Sequence, residues 1–248
     1  MLKIRIIPIL TFNGIGLVKT KKFQNPRMIG NPVQAARVYN SRGVDELVFL
    51  DIIASKQKRK PNLKLIEDVI KQCYMPVAIG GGIETIDDIN NLLKIGADKV
   101  VVKSKAILDK NFMIEAIKFF GSQCITVSID AIKLNNSYKI FNEFGLDINI
   151  ESFVKEMEDL GVGEFILNSV DNDGMMSGFN IELVNNVEQY TNTPIVVVGG
   201  AGNMGHYIDL FNKTKTNSVG SSSIFHFTQH TPLDIKTELK NINLPIRI

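Results

Sequence analysis

Carboxylates, lysines and glycine pairs recur in this chain at the ends of short apolar runs, where a parallel strand would pass into a loop. Asp51 ends Glu46–Asp51 and Asp130 ends Ile125–Asp130. A carboxylate that closes a buried strand is partly desolvated, which suits a general acid or base. Asp130 is the leading candidate for that work, with helix capping or a structural contact as its other reading. Asp51 has the alternative of holding a neighbouring loop. Thr11 and Asn168 stand at two further strand ends. Lys19 lies on a long basic loop, Thr11 to Gly30, and Asp173 in Asp171-Asn172-Asp173-Gly174, which also reads as a plain turn.

Glycine pairs supply the second kind of chemistry. Gly80-Gly81-Gly82 and Gly199-Gly200-Ala201-Gly202 each follow an apolar run. Glycine there lets backbone N–H groups approach an anion closely. Gly81 and Gly82 with Lys103 and Ser104 form one candidate phosphate corner. Gly199, Gly200 and Gly202 with Ser222 and Ser223 form the other. The two corners belong to a repeat: one constant offset separates Pro76 from Pro194, Gly82 from Gly200, Gly43 from Gly161, and Lys103-Ser104 from Ser221-Ser222. The expected ligand is a phosphorylated small molecule with a phosphate at each end.

Eight Val- and Ile-rich runs could present these groups: Ile4–Leu10, Glu46–Asp51, Pro76–Ile79, Lys99–Val102, Ile125–Asp130, Phe165–Asn168, Ile195–Val198 and Ser218–Gly220. They are apolar on both alternations, as buried parallel strands are. Helix-length segments separate most of them: Asn31–Arg42, Leu63–Cys73, Thr85–Ile95, Asn111–Phe120, Ile150–Leu160, Ile181–Tyr190 and Met204–Asn212, with Pro232–Asn241 at the end. This alternation predicts a single α/β domain over residues 1–248, a (β/α)8 TIM barrel with half-barrels at roughly 1–122 and 123–248. Active sites of such barrels lie at the C-terminal strand ends.

Composition narrows the function. The chain has 248 residues, is 44% hydrophobic and carries a net charge of +2. That is ample for one large core and gives no footprint for nucleic acid. The densest basic run, Lys56-Gln57-Lys58-Arg59-Lys60, reads as a mobile loop. No apolar run has membrane-spanning length. Cys73 and Cys124 are expected as buried free thiols, in keeping with a cytoplasmic protein. No metal-spacing cluster, nucleophile elbow or dinucleotide fingerprint occurs, so no metal and no cofactor is expected. His226 reads as a packed helix-entry residue. At the opposite strand ends, Arg5, Glu46, Lys99 and Glu164 fall in one layer around the barrel axis, a structural ring that could also gate a small molecule.

Several of these segments together resemble a known family. Arg5-Ile6-Ile7-Pro8, Asp45 to Ile52, Gly80-Gly81-Gly82-Ile83, Gly96-Ala97-Asp98-Lys99-Val100, Phe120 to Cys124, Gly199 to Gly202 and Ser223-Ile224-Phe225-His226-Phe227 are similar to the cyclase subunit of imidazole glycerol phosphate synthase, over essentially the whole chain. The resemblance implies a substrate with two phosphates. It also implies a glutaminase subunit docked at the strand N-termini near Asp98, and ammonia crossing the Arg5/Glu46/Lys99/Glu164 layer. It further implies two catalytic aspartates, ending the first and fifth strands. Asp130 matches the second; Thr11 stands where the first belongs. Lys103 replaces a usual Asn and Asn168 a usual Thr, whereas Lys19 and Asp173 are kept. A paralogous branch resembles this pattern more closely. It implies a barrel that supplies ammonia, with a glutaminase and an ATP-dependent sugar amidotransferase, for amidination of a bacterial surface sugar. A working cyclase of histidine biosynthesis that tolerates Thr11 is the alternative.

Overall fold

A computed structural model describes residues 3–135 and 137–247. Eleven strands form one sheet: β1 (Arg5–Phe12), β2 (Leu17–Lys21), β3 (Gln24–Gly30), β4 (Leu47–Asp51), β5 (Val77–Gly80), β6 (Lys99–Val102), β7 (Ile125–Leu134), β8 (Ser137–Ile140), β9 (Glu164–Ser169), β10 (Ile195–Val198) and β11 (Ser218–Ser221). The helices are α1 (Pro32–Ser41), α2 (Leu63–Ile70), α3 (Ile86–Lys94), α4 (Ser104–Leu108), α5 (Lys110–Phe120), α6 (Ile150–Asp159), α7 (Ile181–Val187), α8 (Met204–Lys213), α9 (Ser223–Phe227) and α10 (Pro232–Asn241). Strands β1, β4, β5, β6, β7, β9, β10 and β11 pair in parallel in that order, and β11 returns to β1 through Arg5↔Ser218 to Pro8↔Ser221. The result is the closed (β/α)8 barrel expected from the alternation.

Two antiparallel hairpins were not anticipated. The segment expected as a loop after β1 forms β2 and β3, and β7 runs past Asp130 to pair with β8. Basic side chains along them (Lys21, Arg27, Lys133, Lys139) conceal the strand pattern, because these hairpins stand out over the barrel mouth and are partly in water. Several helices end earlier than expected. Leu63–Cys73 stops at Ile70 and Ile181–Tyr190 at Val187, because the last turns tighten into i→i+3 bonds: Gln72 N–H to Val69, and Gln189 N–H to Asn186.

Apolar side chains form two separate clusters. The larger lies between the strands and the helices. The smaller lies inside the barrel and comprises Ile7, Ile9, Val48, Ala78, Val101, Ile166 and Val196, with Leu50 and Val198 against it. Among the described residues no helix is long and apolar enough to cross a membrane. Cys73 and Cys124 are free and half-buried rather than fully buried. Burial pushes the Cys73 thiol up to about 11.

The loop between β5 and α3 is held by a capping box. Thr85 accepts from the Asp88 N–H, and Asp88 accepts from the N–H groups of Glu84 and Thr85 at 3.1 and 2.9 Å. Burial would raise the Asp88 carboxyl, but those hydrogen bonds outweigh it and hold it below the ordinary value of 3.8. A lowered folded value stabilises above the unfolded value and loses that contribution as pH falls through the folded one. Asp88→Ala is therefore expected to cost about 1–2 kcal/mol at neutral pH. In urea titrations the deficit should shrink on acidification below the ordinary value; a deficit that does not change with pH would mean the carboxylate is not the cap.

Candidate functional site at the C-terminal barrel mouth

A cavity of about 470 Å³ opens at the C-terminal strand ends. Ile9, Leu50, Val101, Ile166 and Val198 make its apolar floor, and Thr11, Lys19, Asp51, Gly81, Gly82, Lys103, Ser104, Asp130, Asn168, Asp173, Gly199, Gly200, Ser222 and Ser223 its polar walls. Apart from Gly202, the residues expected around a ligand at this end are brought together. Gly202 does not line the cavity, and its N–H is donated to Nδ1 of His206 at 3.1 Å.

Asp51, Asp130 and Asp173 are each already paired. Lys103 Nζ donates to Asp130 Oδ2 at 2.5 Å, and Asn168 Nδ2 to Asp130 Oδ1 at 3.2 Å. Lys19 Nζ and the Thr20 hydroxyl hold Asp173 at 2.7 and 2.8 Å. Arg59 reaches Asp51 at 3.1 Å, and the N–H groups of Ile53 and Ala54 donate to Asp51 as well. Asp51 is thus tied to the loop that follows it. The basic run around Arg59, expected as a mobile loop, is a folded turn fastened to that carboxylate. Thr11 donates its hydroxyl to the Val18 carbonyl of β2, so it serves as an anchor for the hairpin.

The two glycine corners are built alike. Gly81 and its counterpart Gly199 have φ of +108° and +93°, and Gly82 and its counterpart Gly200 have φ of +72° and +110°, where side chains other than glycine's are strained. A Cβ would lie 2.2 Å from the Asp51 carbonyl oxygen at Gly81 and 2.0 Å from that of Gly178 at Gly200. The repeat slips by one residue beyond them. Lys103 and Ser222 occupy the same place before a short helix, with φ/ψ of −125°/−69° and −136°/−65°. Lys103 is therefore opposite Ser222, not Ser221 as constant spacing implied, and Ser221 is bonded to the Tyr207 hydroxyl at 2.8 Å. The buried hydroxyls of Ser222 and Ser223 have no hydrogen-bond partner. Unpaired buried hydroxyls facing a cavity are ready to receive an anion.

At the other end of the bore the expected charged layer is closed. Arg5 donates to Glu46 at 2.8 Å and to Glu164; Lys99 donates to Glu46 at 2.9 Å and to Glu164 at 2.8 Å. Arg5 Nε also meets the Ser218 hydroxyl, a member the sequence reading missed. Burial holds the Glu46 carboxyl above its usual range against the pull of Lys99. For Arg5, burial works against the charge, but Glu164 and Glu46 prevail and raise it. Asp98 lies exposed at this face and accepts from the Val77 N–H at 2.8 Å.

Sequence reasoning also missed the aromatic rim. Phe23, at the tip of the β2–β3 hairpin, meets Phe141 edge-on at 5.7 Å, and the Phe141 ring lies 6.0 Å from Lys103 Nζ. Both phenylalanines line the cavity. Phe141 directly follows β8, so the hairpin would have located it had its alternation been read. His226 is packed against Tyr39, outside the cavity lining; burial, with Lys19 and Arg42 near, holds it down to about 4. Among the described residues no group of three or more His, Cys, Asp or Glu side chains is arranged to hold a metal ion.

Fold and site define a closed (β/α)8 barrel with a cavity lined by paired lysines and carboxylates between two glycine corners, and a ring of four charges across the opposite end. The model of the family described as "Histidine biosynthesis protein" matches residues 5–231, and the chain belongs to that family. Within it the chain groups with the HisF-like cyclase subunits of imidazole glycerol phosphate synthase. It is 41% identical to the imidazole glycerol phosphate synthase subunit HisF of Streptococcus mutans, covering 100% of both chains. It is 38% identical to a Vibrio vulnificus protein provisionally named imidazole glycerol phosphate synthase subunit hisF2, covering 100% of this chain and 92% of that one.

Proposed function

We propose that this barrel receives ammonia from a glutaminase docked at its strand N-terminal face, beside Asp98, and conducts it to an acceptor at the opposite mouth. The acceptor belongs to surface-sugar amidination by a separate ATP-dependent amidotransferase. Ammonia would pass the Arg5/Glu46/Lys99/Glu164 ring and then the apolar bore between Ile7 and Val198. The neutral molecule would travel there, because an ammonium ion would lose its hydration with nothing to replace it. The glycine corners would seat a phosphorylated ligand, with Ser104 at one and Ser222 and Ser223 at the other.

One observation carries this reading. Thr11 stands at the end of β1 with its hydroxyl committed to the Val18 carbonyl, so this strand end offers no base to pair with Asp130. A hydroxyl near neutral pH is too weak an acid to replace a carboxylate in proton transfer. By contrast, all four charges of the ring are in contact, and each half of the barrel presents a glycine pair at the cavity.

The reading of the chain as a genuine cyclase of histidine biosynthesis draws on the second aspartate. Asp130 faces the cavity with Asn168 beside it, and Lys19 and Asp173 stand across from them. The deciding experiment is turnover of the histidine-pathway ribulosyl intermediate with excess ammonium salt at alkaline pH. No turnover, together with binding of a glutaminase partner, is expected. Turnover abolished by Asp130→Asn would make the chain a cyclase and end the conduit reading.

A further inference from the structure

Four cation–carboxylate pairs stand at the cavity: Lys56 and Glu143 are 3.9 Å apart at its exposed rim, and the other three are not equally fixed. Lys19 and Asp173 are nearly excluded from water, at 9% and 5% side-chain exposure, and Thr20 adds a second bond. Asp51 is held by two backbone N–H groups besides Arg59. The Lys103 ammonium makes one hydrogen bond, to Asp130, and its side chain is 32% exposed at the mouth. Asp130 keeps a second partner, Asn168 Nδ2, when Lys103 leaves.

Lys103 also has somewhere to go. It directly precedes Ser104 at the Gly81–Gly82 corner, in the backbone conformation that Ser222 adopts at the other corner. A serine there keeps its hydroxyl at its own corner. A lysine is long enough to reach past the corner to β7, and that is where its ammonium rests. The face of Phe141, 6.0 Å from Nζ, gives the moving cation an attractive surface. A phosphate carries up to two charges and three strong acceptor oxygens, so it competes well with a single carboxylate for an ammonium.

We propose that Lys103 is a ligand-displaced lock on Asp130: an anion seated at the Gly81–Gly82–Ser104 corner takes the ammonium, and Asp130 becomes free to face the rest of the ligand. Lys103 is then a positioning residue that couples occupancy of one corner to the state of a carboxylate on the neighbouring strand. The resting cavity keeps its carboxylates masked, and the ligand itself unmasks one. This inference rests on reading the glycine corners as phosphate seats.

The test uses inorganic phosphate as the probe on the full chain. Calorimetry gives the phosphate affinities of the native protein, Lys103→Met, Asp130→Asn and the double variant. Carbon NMR of side-chain-labelled aspartate follows the Asp130 carboxyl in the native chain, where no substitution can disturb folding. Lys103→Met is expected to weaken one of two phosphate sites by about tenfold or more, the size of one lost charge-assisted bond. Asp130→Asn should tighten the same site, and that gain should vanish in the double variant. In the native chain the Asp130 resonance should move as phosphate saturates. Two sites of native affinity in folded Lys103→Met, or an Asp130 resonance indifferent to bound phosphate, would overturn the lock and leave the phosphate seats standing. Absence of any phosphate binding to the native chain at millimolar concentration would overturn the phosphate seats and the lock with them.

Discussion

Glu46→Ala lowers the stability of this barrel by about 3–5 kcal/mol, the penalty for breaking a buried ion pair by removing one partner. Glu46 is buried at 4% side-chain exposure and receives both Arg5 and Lys99. Its removal leaves two cations sharing Glu164 at a level of the bore that cannot hydrate them fully. Urea unfolding reads the loss as a lower midpoint with an unchanged slope. The interactions are shared around a closed ring, so Glu46→Gln should recover part of the loss by keeping a hydrogen-bond acceptor in place. A loss below about 1 kcal/mol would mean that the ring behaves as an exposed surface network, screened by water. On the conduit reading, the same variant, mixed with a glutaminase partner, should release into solution ammonia that would otherwise pass the ring.

Thr11→Asp raises ammonium-dependent cyclase turnover by about 10² or more, because it restores a second carboxylate across the cavity from Asp130. The substitution also removes the hydroxyl that Thr11 donates to the Val18 carbonyl. The β2–β3 hairpin retains other ties, among them the Lys22 N–H to the Asp173 carbonyl at 2.9 Å. The loss of that one hydrogen bond should cost about 1 kcal/mol of stability and leave the fold intact. Lys103 sharpens the expectation. If the ligand displaces it, Thr11→Asp alone suffices, and adding Lys103→Asn raises KM with little change in kcat. A fixed lysine would instead require both substitutions before turnover appears. Should a folded Thr11→Asp chain gain nothing with either residue at position 103, the site differs from a cyclase by more than this one carboxylate.

Much of this architecture was legible in the residues, for identifiable reasons. The eight barrel strands are buried on both sides, so their apolar runs are continuous and survive any uncertainty about register. Gly81 and Gly200 were legible because only glycine fits where the backbone carbonyls of Asp51 and Gly178 come so close. The ring was legible because four opposite charges at strand starts have one interior level in common. The hairpins over the mouth were not, since basic side chains facing water on a projecting strand look like a loop. Pairing was harder still. Lys103 directly follows β6 and Asp130 lies on the adjacent β7, and that adjacency was available from the strand order. What the sequence does not contain is the side-chain reach that selects Asp130 over the corner. The one-residue slip that sets Lys103 opposite Ser222 was hidden because the extra residue lies within α8, which has ten residues where α3 has nine.

The apolar side chains inside the barrel form a cluster of their own, separated by the strands from the larger cluster under the helices. Seating the helices and filling the barrel's interior are therefore duties of different residues. Exchanges at Ala78, Val101 or Ile166 can repack or re-line that interior while the helices keep their footing. A lineage built on this barrel is free to change what its interior offers to a molecule without first relearning how to fold.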